Sequence, residues 1–251
     1  MSYLFELIIA TGFGAIFGSY ATLFAYRLPI KQSCFGRYFG KKSRCPRCDA
    51  IIKTRDLIPL FNWLFTLGKC RNCKAKIPLT HLFVELSTTI MFVYCYHQFS
   101  FSQNFILYSL IATSCIILLV CDFNHKVFPQ PMLIFLLTIV IINKILVDQE
   151  IFPMIYSGVL GVILATIFYK IFGSDNLKLF SSKDQLFDYI KFILIAAISL
   201  NYPEMLLYFL IIIIIFCLFL AFNIILKKNN YRYGYIFILI FIYLIFNPIL
   251  S

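Results

Sequence analysis

Four cysteines and one aspartate are the residues of this chain whose type and setting could do chemistry. Cys45-Pro46-Arg47-Cys48 and Cys70-Arg71-Asn72-Cys73 form two C-x-x-C knuckles separated by 21 residues. Two such pairs are the usual source of a tetrahedral four-cysteine zinc site, each knuckle lending two thiolates about 2.3 Å from the metal. The Arg and Lys residues around them favour the thiolate form. Two disulfides or four unrelated thiols are the competing readings. A cytoplasmic setting argues against the first, and paired spacing against the second. The expected role is structural, because a small basic loop buries too little apolar surface to fold alone.

The aspartate is Asp122. It ends the apolar run that includes Leu118-Leu119-Val120-Cys121, and a second apolar run begins near Pro129. An ionisable side chain in or beside a span costs about 2.5–3.5 kcal/mol on insertion scales. Asp122 therefore reads either as a functional carboxylate facing a protein interior or as an interfacial residue that ends a helix. Cys34 lies outside both knuckles, while Cys95, Cys115, Cys121 and Cys217 sit in apolar runs as small hydrophobes. His81, His97 and His125 have no metal-site spacing, and His125 is at most a neighbour that tunes Asp122.

The elements that must position these groups are membrane helices. The chain is 61% hydrophobic and 13% charged, against roughly 45–50% and 25% in soluble domains. Several apolar runs approach the ~20 residues that cross a bilayer. The N-terminal run carries Glu6 and lacks a basic leading region, so it reads as a first span and not as a cleavable signal. The expected fold is an all-α polytopic membrane protein of about eight transmembrane helices, near 3–26, 81–98, 102–121, 127–147, 152–170, 187–201, 204–226 and 234–250. Residues 1–26 hold the first helix, a small cytoplasmic zinc-binding loop domain follows over 27–80, and residues 81–251 hold the rest. Thirteen basic residues stand against two acidic ones between Arg27 and Thr80, which accounts for the whole formal charge of +11. In a membrane protein such a block marks the cytoplasmic side and not a nucleic-acid partner. With eight spans, Lys126, Lys170, Lys178, Lys183, Lys191, Lys227, Lys228 and Arg232 fall on that same side.

Phe17-Gly18-Ser19-Tyr20, Tyr26-Arg27-Leu28-Pro29, both knuckles, Asp56-Leu57-Ile58-Pro59-Leu60-Phe61-Asn62-Trp63-Leu64 and Val84-Glu85-Leu86 carry a family resemblance. Over roughly residues 12–90 the sequence resembles the bacterial type IV prepilin peptidases. The resemblance implies an integral-membrane aspartic peptidase of the bacterial inner membrane, with its site on the cytoplasmic side. Such enzymes remove the basic leader of type IV prepilins and type II secretion pseudopilins. Many then methylate the new N-terminus with S-adenosylmethionine. It further implies two catalytic aspartates, one before an Ile-Pro or Leu-Pro and one in Gly-x-Gly-Asp-x-Lys. Asp122 matches the first, with Pro129 seven residues on. The second motif is altered in Gly173-Ser174-Asp175-Asn176-Leu177-Lys178, where Ser174 replaces a glycine and Lys178 lies one residue late. Asp175 is the expected second carboxylate, and Asp184 the substitute. Glu85 matches the family's Val-Glu-Leu and is expected to line the site, or to pair with a basic loop residue. Lys178 is expected beside the dyad, or as a positive-inside lysine.

Peptide hydrolysis by carboxylates needs two of them sharing a proton across a water molecule, so that repulsion leaves one as base and one as acid. The expected topology puts Asp122 and Asp175 at one membrane face. A substrate with a basic leader and an apolar helix would present its scissile bond at that depth. No glycine-rich nucleotide fingerprint accompanies the implied methylation. Two other readings stand beside the peptidase. A catalytically inactive relative acting in membrane binding or assembly would explain Ser174 and the Lys178 spacing. A zinc-loop transporter would explain intramembrane carboxylates, but no repeat of the span pattern is visible.

Overall fold

The computed structural model describes residues 3–34, 44–53, 56, 58–148, 151–172, 183–200, 202–226 and 234–246. Helices dominate: α1 (Tyr3–Arg27), α2 (Phe61–Phe65), α3 (Leu79–Phe99), α4 (Gln103–His125), α5 (Gln130–Asn143), α6 (Ile151–Phe172), α7 (Lys183–Ser199), α8 (Tyr202–Leu226) and α9 (Gly234–Ile245). A π-helical turn, Lys144–Asp148, extends α5. Among the described residues the only β pairing is two isolated bridges in the loop after α1. The chain divides into two compact units, Met1–Val120 and Cys121–Ser251.

Among the described residues, five helical segments are long and apolar enough to cross a membrane: Tyr3–Arg27, Leu79–Phe99, Gln103–His125, Gln130–Val147 and Phe152–Lys170. The other three expected spans coincide with α7, α8 and α9, and the count of eight is not established. α7 falls short for a physical reason. It is 17 residues long and carries Lys183, Asp184, Asp188 and Lys191 in its first half.

In the first unit α1 packs on α3 through small residues. Ala10, Gly14, Gly18, Ala21 and Ala25 are its buried positions. A Cβ on Gly14 would sit 2.7 Å from Thr89 Cα, and one on Gly18 would sit 2.8 Å from Glu85 Cα. Small residues four apart let two backbones approach where lipid offers no hydrophobic drive for association. The hydroxyls of Thr88 and Thr89 turn back onto the carbonyls of Val84 and Glu85, both at 2.7 Å, and so are satisfied inside an apolar face. Toward the start of α1, the Tyr96 hydroxyl donates to Glu6 Oε2 at 2.8 Å.

In the second unit α7 is the hub, packing against α5, α6 and α9. Gly161 of α6 meets Ala197 of α7 closely enough that a Cβ would lie 2.5 Å from the alanine methyl. Phe128, Tyr189, Phe192, Phe237 and Phe241 are fully buried. They form a continuous set of tilted and edge-on ring pairs 5.2–5.6 Å apart. Phe128, just before Pro129, anchors the α4–α5 connection into this aromatic core. Pro129 then caps α5 with a further proline in its first turn, where the missing N–H costs nothing.

Candidate active site and thiol cluster

The two knuckles are structural copies 25 residues apart. In the first, Arg44 bridges Ile51, the Cys45 N–H donates to Ala50 O at 3.0 Å, and the Asp49 N–H donates to Cys45 O at 2.9 Å. In the second, Lys69 bridges Lys76, the Cys70 N–H donates to Ala75 O at 2.8 Å, and the Lys74 N–H donates to Cys70 O at 3.0 Å. Each turn closes on a left-handed residue directly after its second cysteine, Asp49 (φ 54°) and Lys74 (φ 57°). The Arg44 guanidinium braces the first of these through Asp49 Oδ2 at 2.7 Å.

The turns bring Cys45, Cys48, Cys70 and Cys73 together, with all four Sγ atoms within 4.8 Å of one another. Cys45 and Cys73 are 3.8 Å apart, and a tetrahedron with metal–sulfur bonds of about 2.3 Å has edges of about 3.8 Å. The thiols ionise unequally. The Ala50 N–H and the Asn72 amide lower Cys48 to about 6. The Cys73 and Asn72 N–H groups lower Cys70. Cys73 rises to about 11 despite the Ala75 N–H, because burial and the three neighbouring thiols hold its proton. A cation at the centre would let all four ionise together. The donor set fits a metal ion.

Two carboxylates fasten the segment between the knuckles. Buried Asp56 accepts Arg71 Nε at 2.7 Å, tying this segment to the second knuckle. Half-buried Glu85 of α3 accepts the Leu60 N–H at 2.7 Å, directly before α2. Leu60 is itself left-handed (φ 63°), so the bond holds a backbone conformation that leucine rarely adopts. The partner of Glu85 among the described contacts is thus a backbone amide and not a basic side chain.

Asp122 is fully buried in the last turn of α4. Its Oδ1 accepts the Tyr189 hydroxyl at 2.7 Å, and that hydroxyl accepts Gln185 Nε2 at 2.6 Å. Its Oδ2 accepts the Tyr235 N–H at 3.2 Å, from the first turn of α9. Helix N-termini present free N–H groups and a partial positive charge, which suits a carboxylate. Gly234 makes this approach possible, because a Cβ there would lie 2.5–2.7 Å from the Asp122 carboxyl atoms. Burying a carboxylate is costly unless it is hydrogen-bonded; here α7 and α9 supply those bonds.

Asp175 and Lys178 lie outside the described residues, as does Asn176. Asp184 is exposed in the first turn of α7. Asp188 is 7% exposed, and its Oδ1 takes Gln130 Nε2 at 2.8 Å and Lys191 Nζ at 3.2 Å. His125 is exposed at the end of α4. Gln185, Tyr189 and Gly234 did not emerge from the sequence. Their signals were an i, i+4 polar pair in the charged first half of α7 and the only glycine beyond Gly173.

These observations define a polytopic helical membrane protein with a metal-competent thiol cluster and a buried, hydrogen-bonded carboxylate. Residues 13–99 match the Bacterial Peptidase A24 N-terminal domain. The chain is similar to bacterial prepilin leader peptidases, as its N-terminal residues imply. It is 28% identical over 211 residues to the prepilin leader peptidase/N-methyltransferase of Legionella pneumophila, covering 71% of this chain and 72% of that one. It is 37% identical over 95 residues to the like-named protein of Vibrio cholerae and 29% identical over 119 residues to that of Myxococcus xanthus. These matches cover 36% and 47% of this chain but only 37% and 34% of those relatives. No solved structure matches the chain.

Proposed function

We propose that this protein is a membrane aspartic endopeptidase that removes the basic leader of type IV prepilins or type II secretion pseudopilins at the cytoplasmic face of the inner membrane. The observation that carries the reading is Asp122, a wholly buried carboxylate at the end of a membrane-capable helix, in a chain whose N-terminal residues match a peptidase A24 domain. Asp122 and Asp175 form the dyad. The pair holds one proton between them, so one carboxylate activates water while the other protonates the leaving amine. Because the groups are coupled, pH–rate data would report two apparent values belonging to the pair. The Tyr189 hydroxyl and the Tyr235 N–H keep the Asp122 oxygens in one orientation throughout. Lys178 is the electrostatic neighbour of the dyad. Glu85 holds the Leu60–α2 segment in place.

Cys45, Cys48, Cys70 and Cys73 hold a structural zinc ion, which supplies folding energy and no chemistry. Methylation of the new N-terminus is suggested by the N-methyltransferase in the relatives' names, S-adenosylmethionine is its proposed donor, and no residue of this chain is assigned to it.

A second assignment of the dyad is favoured by one observation. Asp188 is buried, adjoins Tyr189 in sequence, and bonds Gln130 at the head of α5. Co-expression of a prepilin with the wild type and with Asp122→Asn, Asp175→Asn and Asp188→Asn separates the possibilities by gel shift, with enzyme levels followed by immunoblot. Leader loss in the wild type, with retention in the Asp122 and Asp175 variants, is the expected pattern. Retention in Asp188→Asn with cleavage in Asp175→Asn moves the second carboxylate to α7. A wild type that cleaves no precursor overturns the peptidase reading.

A further inference from the structure

The residues around α2 are poorly explained by a water-exposed loop. Leu64, Phe65 and Leu67 are 56%, 74% and 80% exposed, and all three follow one another within a single turn and its exit. α3 then begins with another exposed apolar row, Leu79, Phe83, Leu86 and Ile90. Their 4-3-4 spacing is one helical stripe, and on a membrane-capable helix such a stripe faces lipid. The two apolar surfaces belong to the same compact unit. They are also pinned at a common level, because the Leu60 N–H at the start of α2 is bonded to Glu85, between Phe83 and Leu86 on α3.

Charge points the same way. Lys69 leaves the α2 turn and bridges Lys76, so two exposed lysines face each other across one antiparallel bridge, with exposed Lys74 close by. Like charges directly opposite in a β pair are destabilising. Among the described residues none of the three is ion-paired. A sheet of lipid phosphates beside them would remove the repulsion, since cations near an anionic surface are attracted to it.

We propose that α2 and its exit, Leu64–Leu67, insert into the bilayer interface while Lys69, Lys74 and Lys76 contact anionic headgroups, anchoring the thiol-cluster loop to the membrane surface. The occupant of this face is lipid. The proposal is independent of the catalytic reading, and the anchor would fix the depth of the knuckles relative to α3.

Trp63, the only tryptophan of the chain, lies next to the anchor and reports on it directly. The full-length protein is reconstituted into phosphatidylcholine bilayers with and without phosphatidylglycerol, each containing a lipid brominated near its headgroup end. The expected result is quenching of Trp63 emission that is stronger in the anionic bilayers. Leu64→Ser/Phe65→Ser/Leu67→Ser loses most of that quenching. Lys69→Gln/Lys76→Gln, which replaces exposed side chains only, falls to the phosphatidylcholine level. Absence of quenching in the wild type overturns the anchor whatever the variants do. Quenching that falls as the protein-to-lipid ratio rises overturns it too, because a second copy of the chain then covers the face. Prepilin cleavage is not part of the readout, so failure here leaves the peptidase reading untouched.

Discussion

Asp122 depends on what the residues around it leave out as much as on what they donate. Gly234 places the first turn of α9 so close that any side chain there would occupy the carboxylate's own position. Gly234→Ala must therefore displace Asp122 or the α9 N-terminus, and either movement breaks the Tyr235 N–H bond. Loss of a buried hydrogen bond to a charged group costs roughly 1–3 kcal/mol, so the melting temperature in detergent should fall. Under the peptidase reading proposed above, leader cleavage should drop by roughly 10²–10³-fold, the scale of losing one oriented hydrogen-bond donor at a reacting group. Gly158→Ala is the matched control. The nearest atom to its new methyl group is an Ile198 side-chain carbon at 3.7 Å, an ordinary contact, so both readouts should stay at the wild-type level.

The α1–α3 pair makes the corresponding test for an element. Gly14→Val and Gly18→Val would force side chains into the backbone of α3 at Thr89 and Glu85. Overpacking of this kind costs about 1–3 kcal/mol per site. Thermal melts should show both variants destabilised, while Gly12→Ala, which meets nothing within 4 Å, should be neutral. Both helices were legible beforehand: expected near 3–26 and 81–98, they run Tyr3–Arg27 and Leu79–Phe99. Their ends follow from hydropathy, which bilayer thickness imposes directly. α7 was legible only in its apolar half, because its first turns carry Asp184, Gln185, Asp188 and Tyr189. Hydropathy counts such residues as solvated, whereas Gln185, Asp188 and Tyr189 are buried and bonded inside the unit. α2 is five residues long and has no periodicity to read. The same contrast runs through the site. The thiol cluster could be read from spacing alone and Asp122 from its place at the end of an apolar run. The partners of Asp122 could not, since a tyrosine, a glutamine and a glycine become informative only once the chain has brought them together.

At the scale of the whole molecule the chemistry-bearing groups divide between the two compact units. The four thiols, Asp56 and Glu85 belong to Met1–Val120, while Asp122 and its hydrogen-bond partners belong to Cys121–Ser251. Metal removal should therefore act on one unit without dissolving the other. The knuckles are held by a few backbone bonds and two isolated bridges, which is too little buried surface to persist alone. The loop is also rich in tryptic sites, including Arg44, Arg47, Lys69, Arg71, Lys74 and Lys76. Treating the detergent-solubilised protein with a high-affinity zinc chelator before brief trypsin exposure should produce rapid cleavage between residues 44 and 76. Cys48→Ser/Cys73→Ser should give the same pattern without chelator. Cleavage within the unit carrying α5 and α7 should be unchanged by chelation in both cases, because its aromatic core around Phe128, Tyr189 and Phe192 contains no metal ligand. Mass spectrometry of the fragments reads both effects in one experiment. Protection of the loop that is unchanged by chelation would mean that packing at Asp56 and Glu85 holds it without a metal.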